Sequence, residues 1–207
     1  MKYDFIGDIH GYFDELQIMK KKLGYNDDWS HPCGRKMVFL GDLCDRGPHS
    51  KEVMLEVLRA VLDGKALMVM GNHDDKLLRY LKGNPVTPFD ESVTNALDED
   101  KEAAEFIYEV LLTSVPQTLY LITEGDRPIN VFHAAPHYKQ HMRGPVDKDG
   151  ERIKWWQTYN GELAVFGHYH WEERPRLTGH YCCLDSIHLG YLSALRMPEM
   201  EIICSDQ

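Results

Sequence analysis

No two cysteines stand in a C-x-x-C arrangement, and the five present are an odd number of which two, Cys182 and Cys183, are adjacent. That pattern excludes a disulfide framework and a zinc ribbon and leaves reduced thiols. No apolar run approaches the roughly 18 residues of a membrane span. The opening MKYDFIGDIH enters a structured pattern at once, without the anatomy of a signal peptide. A cytoplasmic protein with no membrane partner is expected. Positive charge is also scarce, with 23 Lys and Arg against 33 Asp and Glu and a net charge of -10. This argues against an extended nucleic-acid surface while leaving room for a local cationic phosphate site. Repeats and low-complexity tracts are absent too. What is present, 43% hydrophobic and 27% charged residues in a chain of 207, suits one domain with a sizeable core.

Residues 3 to 7 read as a strand, and Phe13, Leu16, Met19 and Leu23 then recur at helical spacing up to Gly24. A second strand at Met37 to Leu40 is followed by a helix begun near Ser50, with Val53, Met54, Val57, Leu58, Val61 and Leu62 on one face. A third apolar run covers Ala66 to Met70. The order βαβαβ predicts an α/β (α+β) fold whose first half is a right-handed parallel sheet. Residues 84 to 117 read as an acidic amphipathic helical insertion, with Asp98, Asp100, Glu102, Glu105 and Glu109 around Ala103, Phe106, Ile107, Val110 and Leu111. Strand signals return at 119–122, 129–133, 163–166, 181–184, 192–195 and 201–204, and residues 136 to 160 form a polar, aromatic loop region.

Polar residues of one kind follow successive strands: Asp8 and His10, then Asp42, Asp45 and Arg46, then Asn72, His73 and Asp74, and later His133 and His168. Ligands of open α/β sheets bind at such strand ends, so these loops can converge on one crevice. Asp, His and Asn without cysteine suit divalent ions such as Mn²⁺, Fe²⁺ or Zn²⁺. Two close ions need a bridging carboxylate, and such a pair acidifies water and stabilises phosphoryl transfer. In GDLCDRGP, Asp42 then reads as the bridge and Arg46 as a bidentate phosphate clamp.

The blocks GDIHG, GDLCDRG and GNHD, with His133-Ala134 and Gly167-His168 further along, resemble the signature GDxHG, GDxxDRG, GNH[DE], H[AG]G and GH blocks of the PPP-family metallophosphoesterases. HPCGRK, DRGPHS and LSALRMPEMEI are similar to a small bacterial branch. That branch holds PrpE-like phosphatases, dinucleoside tetraphosphatases and the phosphatase domain of bacterial polynucleotide kinase-phosphatase. The resemblance implies a calcineurin-like fold, a central β-sandwich flanked by helices, which modifies the simple parallel-sheet reading. It implies two divalent ions, with Mn²⁺ the leading choice and Fe, Zn or Ni the others. Asp8, His10 and Asp42 would form one metal site, and Asp42, Asn72, His133 and His168 the second. His73 would be the general acid, oriented by Asp45; Arg46 would hold the phosphate, with Asn72 beside it and Arg152 as a second clamp. Asp185 would stand behind the metal histidines or the general acid.

Three departures from the family pattern concern the substrate more than the ligands: Ala135 for glycine, Asp185-Ser186-Ile187-His188 for Asp-Thr-Gly, and Gly167-His168-Tyr169-His170 for Gly-His-Thr-Pro. His137, His141, His170, His180 and His188 are expected to be surface or packing residues, Cys44 a small filler, and Trp155 and Trp156 core cover. The leading functional expectation is a serine/threonine phosphatase-like phosphomonoesterase acting by direct attack of a metal-bound hydroxide. No Cys-x5-Arg loop offers a covalent thiol route. The alternative is a bis(5'-nucleosyl)-tetraphosphatase-like hydrolase of dinucleoside polyphosphates, followed by a polynucleotide end phosphatase or an inactive phosphate-binding module. The partner is accordingly a phosphoprotein, a nucleotide or a dinucleoside polyphosphate.

Overall fold

The computed structural model describes residues 1–136, 141–171 and 173–206. The elements run β1 (Tyr3–Ile6), α1 (Phe13–Leu23), β2 (Lys36–Phe39), α2 (Ser50–Leu62), β3 (Ala66–Met68), α3 (Asn72–Leu81), α4 (Glu91–Asp98), α5 (Lys101–Ser114), β4 (Thr118–Ile122), β5 (Pro128–Phe132), β6 (Leu163–Phe166), β7 (Tyr181–Cys183), β8 (Ser193–Met197) and β9 (Glu201–Cys204). Two mixed sheets form, in the orders β3-β2-β1-β8-β9 and β4-β5-β6-β7. In the first, β1, β2 and β3 are parallel, and β8 pairs antiparallel with β1, placing Leu195 opposite Phe5. In the second, β5, β6 and β7 are parallel.

Strand alternation explains the layering. Phe5, Val38, Leu40, Ile129, Val131, Leu163, Val165 and Leu195 meet between the sheets. Ile6, Met37 and Phe39 face the other way, into a core shared with Leu16 and Met19 of α1 and Val53, Val57 and Leu58 of α2. On the outer face of the second sheet, Phe132, Ala164, Phe166 and Cys183 are covered by Trp155, Trp156 and Tyr169. Trp155 and Trp156 are therefore core cover, as expected. A parallel sheet alone would have left one face of β1 to β3 open. The second sheet closes it, which makes the fold a sandwich, while the C-terminal strands β8 and β9 widen the first sheet beyond β1.

Helix α1 ends at Gly24, whose φ of 85° is the left-handed cap conformation and whose N–H reaches the carbonyls of Lys20 and Lys21. The expected single insertion is two helices. Asp100 breaks it by accepting the Ala103 N–H at 3.1 Å and capping α5. Ala103, Ile107, Val110 and Leu111 pack into the core with α2, which leaves Glu102, Glu105 and Glu109 on other faces. Helix α3, of sequence NHDDKLLRYL, packs Leu77, with Leu78 and Leu81 beside it, against the core and buries the Asp74 carboxylate in its first turn. That carboxylate holds the start of the helix by accepting the Gly71 N–H at 3.0 Å.

At the far end of β1 lies a buried charge cluster. Asp4 accepts hydrogen bonds from Tyr25 Oη (3.0 Å), Arg35 Nε (2.9 Å) and Arg196 Nε (2.9 Å). Arg35 also donates to the Met197 carbonyl at 2.8 Å and to Glu199 at 2.9 Å. Two guanidinium groups thus face two carboxylates, and each has several hydrogen bonds.

Candidate active site

Because the parallel strands of both sheets end on the same side, six strand ends supply one crevice. Asp8 and His10 follow β1; Asp42, Asp45 and Arg46 follow β2; Asn72 and His73 open α3 after β3; His133 follows β5, His168 follows β6 and Asp185 follows β7. The backbone there is strained: His10, Asp42, Asp45, Arg46 and His168 have φ between 49° and 80°, a region non-glycine residues seldom occupy. Close approach requires glycine nearby. A Cβ on Gly71 would strike the backbone and carboxylate of Asp42, and one on Gly167 would strike the Asp8 carboxylate.

His133 Nε2 is the hub. Around it stand Asp42 Oδ2 at 3.2 Å, Asn72 Oδ1 at 3.1 Å and His168 Nδ1 at 3.2 Å. Its own Nδ1–H donates to the Leu40 carbonyl at 2.7 Å, which aims Nε2 at the cluster. Nearby, His10 Nδ1–H donates to the Cys44 carbonyl at 3.0 Å and its Nε2 lies 3.7 Å from Asp42 Oδ2. Three donor groups emerge in which all ligand atoms lie within 4.8 Å: His10, Asp42 and His73; Asp42, His133 and His168; and His170, Asp185 and His188. Asp42 belongs to the first two. Asp8 belongs to none of them; its carboxylate accepts the His168 N–H at 3.0 Å and lies close enough to Asp42, His133 and Asp185 to feel their charges.

His73 and Asp45, expected to act as a proton-transfer pair, are in contact. His73 Nδ1 lies 2.8 Å from Asp45 Oδ2, which also takes Lys76 Nζ at 3.0 Å, while Asp45 Oδ1 accepts the Asp90 N–H at 3.0 Å. Burial pushes the Asp45 carboxyl up, but the hydrogen bonds from His73, Asp90 and Lys76 outweigh it and hold the group well below the usual carboxylate range. Arg46 is exposed, with its guanidinium 3.2 Å from His170 Nε2. Arg152 is also exposed and donates to the His168 carbonyl at 3.4 Å.

Electrostatics expose a shortage of cations. Burial, then the Asp185 and Asp42 carboxylates, push Asp8 well above its ordinary value. Burial pushes Asp42 up as well, but His133 overcomes it and holds Asp42 down. Burial alone would lower His133; Asp42 and Asp8 instead raise it to about 10. Burial lowers His10 to about 4, and burial with His133 lowers His168 to about 3. Asp185 is 1% exposed and neither oxygen has a hydrogen bond, although His170 Nε2 and His188 Nδ1 stand 3.4 and 3.8 Å away. His168 Nε2 is likewise buried without a partner.

These observations fit divalent ions. Donor separations of 3.1–3.2 Å around His133 match those of ligands held about 2.0–2.2 Å from one ion. Orphaned buried donors and surplus carboxylates are what such ions neutralise.

Two features were not foreseen. His170 and His188 are not merely surface residues; they stack at 4.5 Å beside Asp185. Asp74, which is fully buried, accepts the N–H groups of Asp42 (2.8 Å), Leu43 (2.9 Å) and Gly71 (3.0 Å) and so ties the second loop to the third. The aspartate in GNHD was the available signal. His180 is an exposed residue bonded to the Gly161 carbonyl and His141 a half-buried one bonded to the Ala135 carbonyl, whereas His137 lies outside the described residues. Cys44 is a buried filler.

Two clefts of about 670 Å³ each adjoin the donor residues, one through Asn72 and His73 and the other through Tyr169 and His170. One runs from Asn72 and His73 past Lys76 and Arg79 to Arg143; the other is walled by Trp156, Tyr169, Trp171 and Tyr181, with Arg152 and Lys154. Among the described residues, no helix is long and apolar enough to cross a membrane.

Residues 1–182 match the calcineurin-like phosphoesterase family. The chain is 34% identical to the asymmetrical bis(5'-nucleosyl)-tetraphosphatase PrpE of Anoxybacillus flavithermus and 36% identical to that of Bacillus cereus (strain Q1), covering 98% of this chain and 93% of each relative. A solved structure provisionally described as a diadenosine tetraphosphatase superposes with a TM-score of 0.68 at 23% identity, covering 98% of this chain and 92% of that one. A serine/threonine phosphatase from Saccharomyces cerevisiae with similarity to human PP5 superposes at 0.59 with 13% identity, over 99% and 78%. Block order, sandwich architecture and family match agree: the chain belongs to the calcineurin-like phosphoesterases and is a metal-dependent phosphoric ester hydrolase.

Proposed function

We propose that the protein hydrolyses dinucleoside polyphosphates, cutting them asymmetrically. The observation that carries this reading is a pair of separate clefts that both reach the donor residues, one through Asn72 and His73 and the other through Tyr169 and His170. A phosphoserine needs one such recess, whereas a substrate with two nucleoside heads needs two. The asymmetrical tetraphosphatases that match nearly the whole chain add to it. The dinucleotide alternative thereby displaces the serine/threonine phosphatase-like expectation.

In this reading Asp8, His10 and Asp42 would hold one divalent ion, and Asp42, Asn72, His133 and His168 would hold the other. When bound, such ions supply positive charge to the phosphate oxygens and acidify a water into a nucleophile near neutral pH. The chain's own groups do the rest. Arg46, with Arg152 beyond it, holds the phosphate oxygens in orientation. Asp45 accepts the His73 Nδ1–H, 2.8 Å away, so Nε2 is the atom that gives a proton to the leaving oxygen. Burial of Asp42 and His133 keeps bulk water from competing for the donors.

The test is a panel of diadenosine tetraphosphate, a phosphoserine peptide and a 3'-phosphorylated oligonucleotide under one Mn²⁺ condition. The dinucleotide is expected to have the highest kcat/KM, with ATP and AMP as products. A phosphopeptide turned over faster than the dinucleotide would restore the phosphomonoesterase reading.

A further inference from the structure

The two clefts differ in chemistry, and the difference assigns a direction to cleavage. Asn72, Lys76 and Arg79 lie at i, i+4 and i+7 on α3, one face of a helix whose first turn carries His73. From His73 to Arg79 that face advances about 9 Å at 1.5 Å per residue. Arg143, from outside the helix, lines the same cleft, and among the described residues no carboxylate lines it. Arg79 and Arg143 share a single counter-ion, Asp75, at 3.0 and 4.0 Å, so positive charge is left over. The other cleft offers rings: Trp156 and Trp171 lie 5.6 Å apart with Tyr181 beside them, and Glu173 reduces the charge there. Aromatic faces stack nucleobases, and a row of cations suits a polyphosphate.

Resting on the dinucleoside polyphosphate reading, we infer that the cationic track of α3 carries the triphosphate half as the leaving group, while the monophosphate half sits with its base in the aromatic cleft. The general acid lies at the head of the cationic cleft, so the oxygen it protonates belongs to the half seated there. The balance is simple. Water adds its oxygen to the phosphorus of the AMP half, and the bond from that phosphorus to the bridging oxygen breaks. The bridging oxygen leaves on ATP with the proton from His73 Nε2, which solvent restores while the water's proton goes to bulk.

Hydrolysis of diadenosine tetraphosphate in H₂¹⁸O by the Mn²⁺-loaded enzyme, with products weighed by mass spectrometry, tests this. The label is expected in AMP and not in ATP. Label in ATP, or ADP as the sole product, overturns the inference while leaving dinucleotide hydrolysis intact. Absence of turnover on this substrate overturns both. A second measurement uses the paired change Arg79→Ala, at a half-buried position, and Arg143→Ala, at an exposed one. It should lower kcat/KM on the dinucleotide about tenfold or more beyond its effect on p-nitrophenyl phosphate, which has no polyphosphate arm. Equal losses on the two substrates would overturn the track.

Discussion

Asp4 and Asp8 lie four residues apart on and just beyond β1, both buried, and their surroundings could hardly differ more. Asp4 meets two guanidinium groups and a phenol and has its charge balanced within the chain. Asp8 meets an N–H and two further carboxylates, and its proton affinity rises accordingly. Burial alone therefore does not mark a functional charge. What marks it is whether the protein supplies the opposite charge itself, as at the start of the strand, or leaves that to a ligand, as at its end.

The largest effect that would break this comparison lies at the balanced end. Arg35→Ala should cost about 3–5 kcal/mol by denaturant unfolding, because Asp4 and the Tyr3 and Met197 carbonyls lose a buried donor. A cost near zero would mean that Asp4 is not balanced in this way. Asp8→Asn should act in the opposite sense in chelator. The unfolded Asp8 ionises in the ordinary range while the folded carboxyl keeps its proton to higher pH. As pH rises above the unfolded value, the wild type loses up to about 1.4 kcal/mol per pH unit relative to the variant, until the folded value is passed. Below the unfolded value the two should coincide. Saturating Mn²⁺ should reverse the order, since binding at 100 times Kd adds about 2.7 kcal/mol to the better ligand set. A variant that melts below the wild type in chelator at pH 8 would place Asp8 among the balanced charges. The smallest effect sharpens the balanced end. Glu199→Gln should cost only about 0–1 kcal/mol in the same unfolding assay, because its side chain is 42% exposed.

The reacting end was the more legible of the two. Glycine-bracketed blocks place Asp8, His10, Asp42, Asp45, Arg46, Asn72 and His73 directly after apolar strands, so short-range pattern and β-strand period sufficed. Asp4, Arg35 and Arg196 have no such signature; the last is 192 residues from the first, and only the pairing of β1 with β8 brings them together. For the same reason the stacking of His170 and His188 around Asp185 was not legible, because it depends on loops after β6 and β7. Helix α3 escaped because its apolar positions, Leu77, Leu78 and Leu81, are confined to its second half, while its first turn carries the polar Asn72, His73 and Asp74 that read as a strand-end loop. The split between α4 and α5 turned on one capping aspartate inside a run of similar acids.

Asp74, the buried carboxylate that gathers three backbone N–H groups, has a consequence beyond local rigidity. It fixes the loop of Asp42 and Leu43, while the walls of both clefts are made mostly of other side chains; among the described residues Asn72, His73 and His170 belong both to the donor residues and to a wall. On the proposed reading, the loops that hold the donors and the walls that receive the nucleosides are then separable in engineering. Substitutions at Arg79, Arg143 or Trp171 are expected to change which phosphate ester is preferred while leaving the Asp74 hydrogen bonds intact.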